Sequence, residues 1–312
     1  MSEEKPQEKI NGINRFNLAN LAAFLVNVVF TLGVGEGVSF GLNLPTTSEV
    51  SDKYPTLITP ASSFFGIAWL VIFACQFVWA AGQILVPSWR KSPYITSLEY
   101  QYVYVVFFQA LWTILFGLEI VWAALAAMAI LAVLLYTGVH VLSHLATFEQ
   151  EELELSTKDM AKNYVFFRLP WTFHFGWILA ALAVNLQVVL VSFNVGDASQ
   201  ALLSILSVAA LIAIGAWNVH KKSEYGVAAA VAWALLGIFA SLHMPLAIIQ
   251  TTFSNFFIQT AKWSSMIGTI GVLGLCGKDF ADFMQGKTAD DDEEDESVGD
   301  DYVRAEAVSE QV

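Results

Sequence analysis

The sequence predicts an all-α fold, a polytopic integral membrane bundle of about eight transmembrane helices. Three observations carry this expectation. The 312-residue chain is 56% hydrophobic with a mean hydropathy of +0.58, and only 14% of its residues are charged, whereas soluble domains carry about 25%. Apolar runs of roughly 20 residues, enough to cross the hydrocarbon core of a bilayer, recur from end to end. Lysine and arginine cluster in alternate connections, as expected of loops held on the cytoplasmic side during insertion. The alternating pattern of an outer-membrane barrel is absent.

The runs place spans at 17–38, 61–86, 101–118, 120–145, 165–193, 199–219, 224–243 and 256–277. The third and fourth are parted only near Glu119, and the fifth is long enough to hold an interfacial entry turn. A seven-span chain, with one of these fused or dropped, is the alternative. With eight spans, one side holds Lys5, Lys9, Arg15, Arg90, Lys91, Lys158, Lys162, Arg168, Lys221, Lys222, Lys278, Lys287 and Arg304. That is 13 of the 15 basic residues, leaving Lys53 and Lys262 opposite. An odd number of spans would break this separation, so both termini are expected in the cytoplasm. The first span follows "MSEEKPQEKINGINR", which is acidic as well as basic and leads to no small-residue cleavage site. It is read as a retained span, in an endomembrane or the plasma membrane.

Net charge is −13, but residues 288–312 supply −10 of it through eleven acids against Arg304. This run has nothing apolar to bury and is expected to be a disordered cytoplasmic tail, solvating or partner-binding. The acidic balance, with no phosphate-binding or nucleic-acid motif, argues against a nucleic-acid partner. Cys75 and Cys276 both fall in spans, where they serve as small packing residues and supply no disulfide framework.

The 39–60 connection holds Pro45, Pro55 and Pro60 and reads as an ordered but irregular lid on the non-cytoplasmic side. On the other side, 146–164 is acidic, helix-compatible and solvated. Gly33, Gly37 and Gly41 are spaced to let helices approach closely, within one chain or in a homodimer. Gly66 is expected to do the same in the second span.

Residues three and four apart share one helix face. In the second span that face carries Trp69, Phe73, Gln76, Ala80 and Gln83, with Trp79 on another face, packing or facing lipid. In the third it carries Tyr102, Val105, Gln109, Trp112, Phe116 and Glu119. In the fifth it carries Pro170, His174, Trp177, Ala181 and Asn185. Each face pairs a tryptophan with an amide or imidazole at membrane depth. Lipid would leave those polar atoms unsatisfied, so the three faces are expected to turn toward one another, with Gln76 opposite Gln109 and Asn185. Two outcomes stay open: polar glue between helices, or a pocket for a flat apolar ligand walled by indoles.

These residues resemble the tryptophan-rich sensory protein/translocator protein (TspO/MBR) family. Pro60, Gly66 and Trp69 fit the opening of that family's second helix. Gln109 and Trp112 fit its third, with Gln where Asn is usual, and Phe116 keeps part of the aromatic pair that follows. Trp177, Ala181 and Asn185 fit its fifth helix, although Phe173 stands where the family has a proline. The resemblance covers about 17–193 and implies a five-helix bundle that binds porphyrins, sterols or similar hydrophobic ligands in their transport, sensing or scavenging. It also implies that Trp69, Trp112, Trp177, Ala181 and Asn185 line the pocket and that 39–60 caps it. By the stripes themselves, Gln76, Gln109, Phe116 and His174 join that set. The expected organisation is a tail 1–16, a TspO/MBR-like domain 17–193, three extra helices over 194–278, and an acidic tail 279–312. No resident cofactor is required; a porphyrin, haem-type or sterol molecule would be the ligand.

His140 and His144 lie four apart on one face and are the sequence's weak candidates for a metal or haem site, with His174 their only partner in reach. Lys262, beside Trp263 near a helix start, reads as an interfacial lysine rather than a Schiff-base lysine. Glu36, Glu99 and Glu119 are scattered and make no acid/base pair, so the sequence is read as that of a non-enzyme. Against a ligand-binding protein stand two alternatives: an ion-coupled secondary transporter of a small solute, which eight spans would suit, and an assembly subunit of a membrane complex.

Overall fold

The computed structural model describes residues 12–36, 44–153 and 155–285, and among these every regular element is helical. The N-terminal tail, Gly37 and Gly41 of the glycine stripe, the first part of the 39–60 connection and the acidic tail beyond 285 lie outside the described residues.

Each expected span is a helix. The first, α1 (Arg15–Val28), runs on through a π-turn at Val29–Gly33 and a 3-10 turn at Val34–Glu36. Asn14 starts it: its side-chain oxygen accepts from the backbone of Phe16 and Asn17, and Asn17 returns a bond to Asn14, closing a capping box. The buried face of this segment is Asn17, Asn20, Phe24, Asn27 and Thr31, a 3-4-3-4 spacing that puts polar groups, rather than aliphatic ones, against the bundle.

After α2 (Thr47–Lys53) come α3 (Ser62–Leu85), the short α4 (Pro93–Thr96), α5 (Gln101–Gly117) and α6 (Val121–Leu153). The turn between α5 and α6 hinges on Glu119, whose φ of 58° is left-handed and uncommon for a residue with a side chain. Next, α7 (Thr157–Asn163), a π-turn at Tyr164–Arg168 and α8 (Leu169–Ser192) form one nearly unbroken helical run. Pro170 follows directly on the π-turn, the irregular part of the run, where a residue without an N–H to donate is accommodated. The chain ends in α9 (Asp197–Lys222), α10 (Tyr225–Ser241), α11 (Ala247–Thr252) and α12 (Asn255–Gln285).

Four runs are long and apolar enough to cross a membrane: Ser62–Leu85, Val121–Gln150, Thr157–Ser192 and Asp197–His220. Arg15–Thr31, Gln101–Gly117 and Tyr225–Ser241 are shorter apolar helices packed among them. Leu70, Phe107, Trp122, Val133 and Ile270 face outward, as expected of surfaces that meet lipid tails.

Two expectations are corrected here, and a third, that 146–164 is helix-compatible, is met. The 39–60 connection is not wholly irregular, because Thr46 and Glu49 make a capping box that nucleates α2. The 146–164 stretch is largely helical, shared between α6 and α7. Gly66 has no neighbour that a side chain would meet; the close approach is made by Gly237 of α10, where an added Cβ would lie 2.9 Å from Pro60 Cβ and 3.0 Å from Phe64 Cβ. The backbone there is joined directly, Ala61 N–H donating to Gly237 O over 3.0 Å. Nearer the start of α10, Gly176 of α8 comes equally close, its added Cβ falling 2.6 Å from the Val227 carbonyl oxygen. Thus α10 is wedged against both α3 and α8.

Candidate functional site

The three tryptophan-bearing faces turn into the bundle. Trp69, Gln76, Gln109, Trp112, Phe116, His174, Trp177 and Asn185 are all buried, and Ala181 is partly so. What the structure adds is the order in which their polar groups are connected, and it runs through α1.

Gln109 Nε2–H donates to Thr31 Oγ1 (2.9 Å), and the Thr31 hydroxyl donates to Asn27 Oδ1 (3.0 Å). Asn27 Nδ2–H donates to Gln76 Oε1 (3.3 Å), which also accepts from the Tyr102 hydroxyl (2.9 Å). With its oxygen occupied, Gln76 presents Nε2–H to His174 Nδ1 at 2.9 Å. Every link therefore has one direction. The proton of neutral His174 is then on Nε2, and that nitrogen, fully buried, has no partner.

Gln76 and Gln109 are thus joined through Asn27 and Thr31 rather than facing each other. Asn185 belongs to a separate pair: its Oδ1 accepts from Trp112 Nε1–H (3.0 Å) while its amide donates to Ala181 O (2.9 Å). A third polar cluster lies further along α3, where Gln83 Oε1 accepts from Asn20 (3.0 Å) and Asn17 (3.4 Å). Nothing in the tryptophan pattern pointed to Asn17, Asn20, Asn27 or Thr31. The signal that could have found them was the placing of Asn17, Asn20, Asn27 and Thr31, spaced by 3, 7 and 4, on one face of an otherwise apolar helix.

Aromatic rings fill the space between these links. Trp69 stacks on Phe73 with centroids 5.8 Å apart and meets His174 edge-on at 6.0 Å. Phe65 bridges Trp69 (6.2 Å) and Trp177 (5.6 Å). Trp112 stacks on Phe116 at 5.3 Å. Trp79 is fully buried in a triangle with Tyr102 (5.0 Å) and Trp171 (5.8 Å). Its indole N–H, like that of Trp177, has no acceptor. Gln76, Trp79, Tyr102, Leu135, Pro170, Trp171 and His174 surround a gap that, as packed, holds no water-sized space. A larger cavity of about 310 Å³ lies between α3, α8, α10 and α12, lined by residues including Ala68, Val71, Phe173 and Trp233. It opens toward the outer face of the bundle beside the exposed Ile67 and Leu273.

His140 and His144 stand exposed on α6 with their Nε2 atoms 3.2 Å apart. His174 does not join them, being engaged with Gln76, and no cluster of three or more metal-ligating side chains occurs among the described residues.

At the lid end, α2 is tied down by charge. Lys53 Nζ and the Tyr54 hydroxyl (2.9 Å) both donate to Glu119 Oε2. The Lys53 bond, then that of Tyr54, holds the Glu119 carboxyl below the ordinary carboxylate range, and the same Lys53–Glu119 bond raises the Lys53 ammonium. At the other end, Glu224 stands fully buried at the N-cap position of α10, its carboxylate accepting from Arg168 (2.6 Å) and from the Ser143 hydroxyl.

Apolar helices wrapped around an interior of aromatic rings and directed amide bonds define a polytopic helical membrane protein. Within that class, the TSPO-like protein family matches residues 17–264, and the chain belongs to this family. The match extends past the stretch that carries the tryptophan motifs, through α9, α10 and α11 and into α12. No curated protein and no solved structure matches the chain.

Proposed function

We infer that this protein binds a flat hydrophobic molecule of tetrapyrrole or sterol-like form between α3 and α8, within the membrane, and that it acts in that molecule's transport, sensing or scavenging. The observation that carries this reading is the continuous aromatic wall of Phe73, Trp69, Phe65 and Trp177, buried but for the half-buried Phe65 and edged by His174. Indole and phenyl faces offer a ring-shaped ligand large apolar area with few orientational demands. Trp112, Phe116, Ala181 and Asn185 form the far wall, and the lid containing α2 covers the end of α5 and α6. Family membership supports the same reading, because proteins of the TspO type are linked in general to tetrapyrrole ligands. The rings fill this space themselves, so on this reading ligand entry requires Trp69 and Phe65 to part.

The test is tryptophan fluorescence of the purified full-length protein titrated with protoporphyrin IX. Saturable quenching is expected, weakened at least severalfold in affinity by Trp69→Ala and by Trp177→Ala. Unchanged quenching in both variants would remove these residues from the pocket.

A further inference from the structure

The amide chain ends at a proton donor with nothing to donate to. Because Gln76 Oε1 accepts from both Asn27 and Tyr102, the Gln76 amide has one orientation, and His174 Nδ1 is held as an acceptor. His174 Nε2–H and Trp79 Nε1–H are both buried, both without an acceptor, and their side chains line the same gap below the aromatic wall. An orphaned buried N–H is costly to a fold, and here two of them border one space too tight for a water molecule to satisfy them. Neither residue's place in the helix explains this, since Trp79 and His174 come from different helices, α3 and α8.

We propose that this gap is the polar end of the ligand site and takes a neutral carbonyl oxygen, a ketone or ester, which accepts from His174 Nε2–H and Trp79 Nε1–H. The inference rests on the ring-binding reading above and adds the ligand's chemical class to it. A carbonyl oxygen has two lone pairs and can accept from two donors at once. A carboxylate oxygen can do the same, but no lysine or arginine lines the gap, and an unpaired charge is far more expensive to bury than a neutral acceptor. A hydrocarbon ring would leave both donors as they are. The ligand is then a rigid, ring-bearing, uncharged carbonyl compound whose body lies along Trp69 and whose oxygen reaches the depth of Trp79.

Three probes of one shape test this: 9-fluorenone, fluorene and fluorene-9-carboxylate, each measured by equilibrium dialysis against the full-length protein in detergent. Fluorenone is expected to bind about 3- to 10-fold more tightly than fluorene, the advantage of one or two net hydrogen bonds, with the carboxylate weakest. Trp79→Phe, which keeps a ring and removes the N–H, should bring the fluorenone-to-fluorene ratio close to one. Because that variant alters a packed core, the wild-type protein carries a second readout: the ¹⁵N-indole signal absent from Trp79→Phe should move with fluorenone and not with fluorene. Equal binding of fluorenone and fluorene by the wild type overturns the carbonyl site and leaves the ring pocket standing. Tightest binding by the carboxylate overturns the neutral class. If none of the three binds, the ring pocket falls with it.

Discussion

Gln76 gathers more of the interior than any tryptophan does. It takes two hydrogen bonds on its oxygen, from Asn27 and Tyr102, and gives one to His174, so it joins α1, α3, α5 and α8 at one point. Gln76→Leu should cost about 1–3 kcal/mol, because three buried partners lose their bond at once. Asn185→Leu removes an acceptor from Trp112 alone and should cost about 0.6–1.7 kcal/mol, the range of single interhelical bonds in a membrane. Thermal unfolding in detergent distinguishes the two; a larger loss for Asn185→Leu would contradict this ordering. The burial of Gln76, Gln109, His174 and Asn185 was legible in the sequence, because an amide or imidazole in a twenty-residue apolar run has to turn away from lipid. Their partners were not, because a face defined by its tryptophans draws no attention to α1, which has none. Of the two roles left open for Trp79, packing or facing lipid, the structure shows packing. Trp79 is three residues from Gln76, only about 60° around the helix, and α3 is covered by α1 and α8 together, so its buried arc is wider than one stripe.

Packing between elements depends on two glycines that sequence spacing did not single out. Gly176 and Gly237 let α8 and α3 touch α10 almost backbone to backbone. Gly176→Ala is expected to destabilise the protein by about 1–3 kcal/mol, the usual penalty of overpacking, since the obstacle is the rigid carbonyl of Val227. Gly66→Ala, with open space around it, should be neutral or slightly stabilising through helix propensity. Thermal midpoints of both variants check this pair. The lid belongs to this scale as well. The Glu119 carboxyl is held low by Lys53 and Tyr54, so the stabilisation it gives is complete above its unfolded value and disappears as pH falls through the lowered folded one. The Lys53 ammonium is held high by Glu119, so its share is complete below its unfolded value and lost as pH rises through the raised one. Between these limits α2 should stay docked. Hydrogen-exchange protection over 47–54, taken relative to the intrinsic rate at each pH, is therefore expected to be highest near neutrality and to fall in acid and in strong alkali, and Glu119→Gln should flatten the acid limb. An acid limb unchanged in Glu119→Gln would show that the ion pair does not hold the lid. The lid's helical part was hidden from a reading based on proline content, since the capping box at Thr46 and Glu49 acts over only four residues.

Across the whole molecule, the positions of the charges agree with the hydropathy pattern in a way neither could give alone. Lys53 and Glu119 meet at one end of the bundle, where Pro60 and Gly237 also lie. Arg168, Glu224 and Ser143 meet at the other, and Trp89 of the 87–100 connection packs there against Phe167. Lys262 lies near the start of α12, its ammonium 5.6 Å from the Phe239 ring and 5.4 Å from the Trp263 ring, an arrangement suited to an interfacial lysine. If loops rich in lysine and arginine stay cytoplasmic, the Arg168 end faces the cytoplasm and the lid faces away from it. Asp52 and Lys158 are both exposed, one at each end, and each can be replaced by cysteine in a chain whose Cys75 and Cys276 have been changed to alanine. A membrane-impermeant maleimide applied to sealed, cytoplasmic-side-in vesicles should label Asp52→Cys at once and Lys158→Cys only after the membrane is opened. The reverse pattern would invert the orientation, and ligand would then reach the lid from the cytoplasm. Labelling of both from one side would mean that an even number of spans, rather than the three helices α3, α5 and α6, separates the lid from α7, and the bundle's assignment as an eight-helix membrane domain would have to be redrawn.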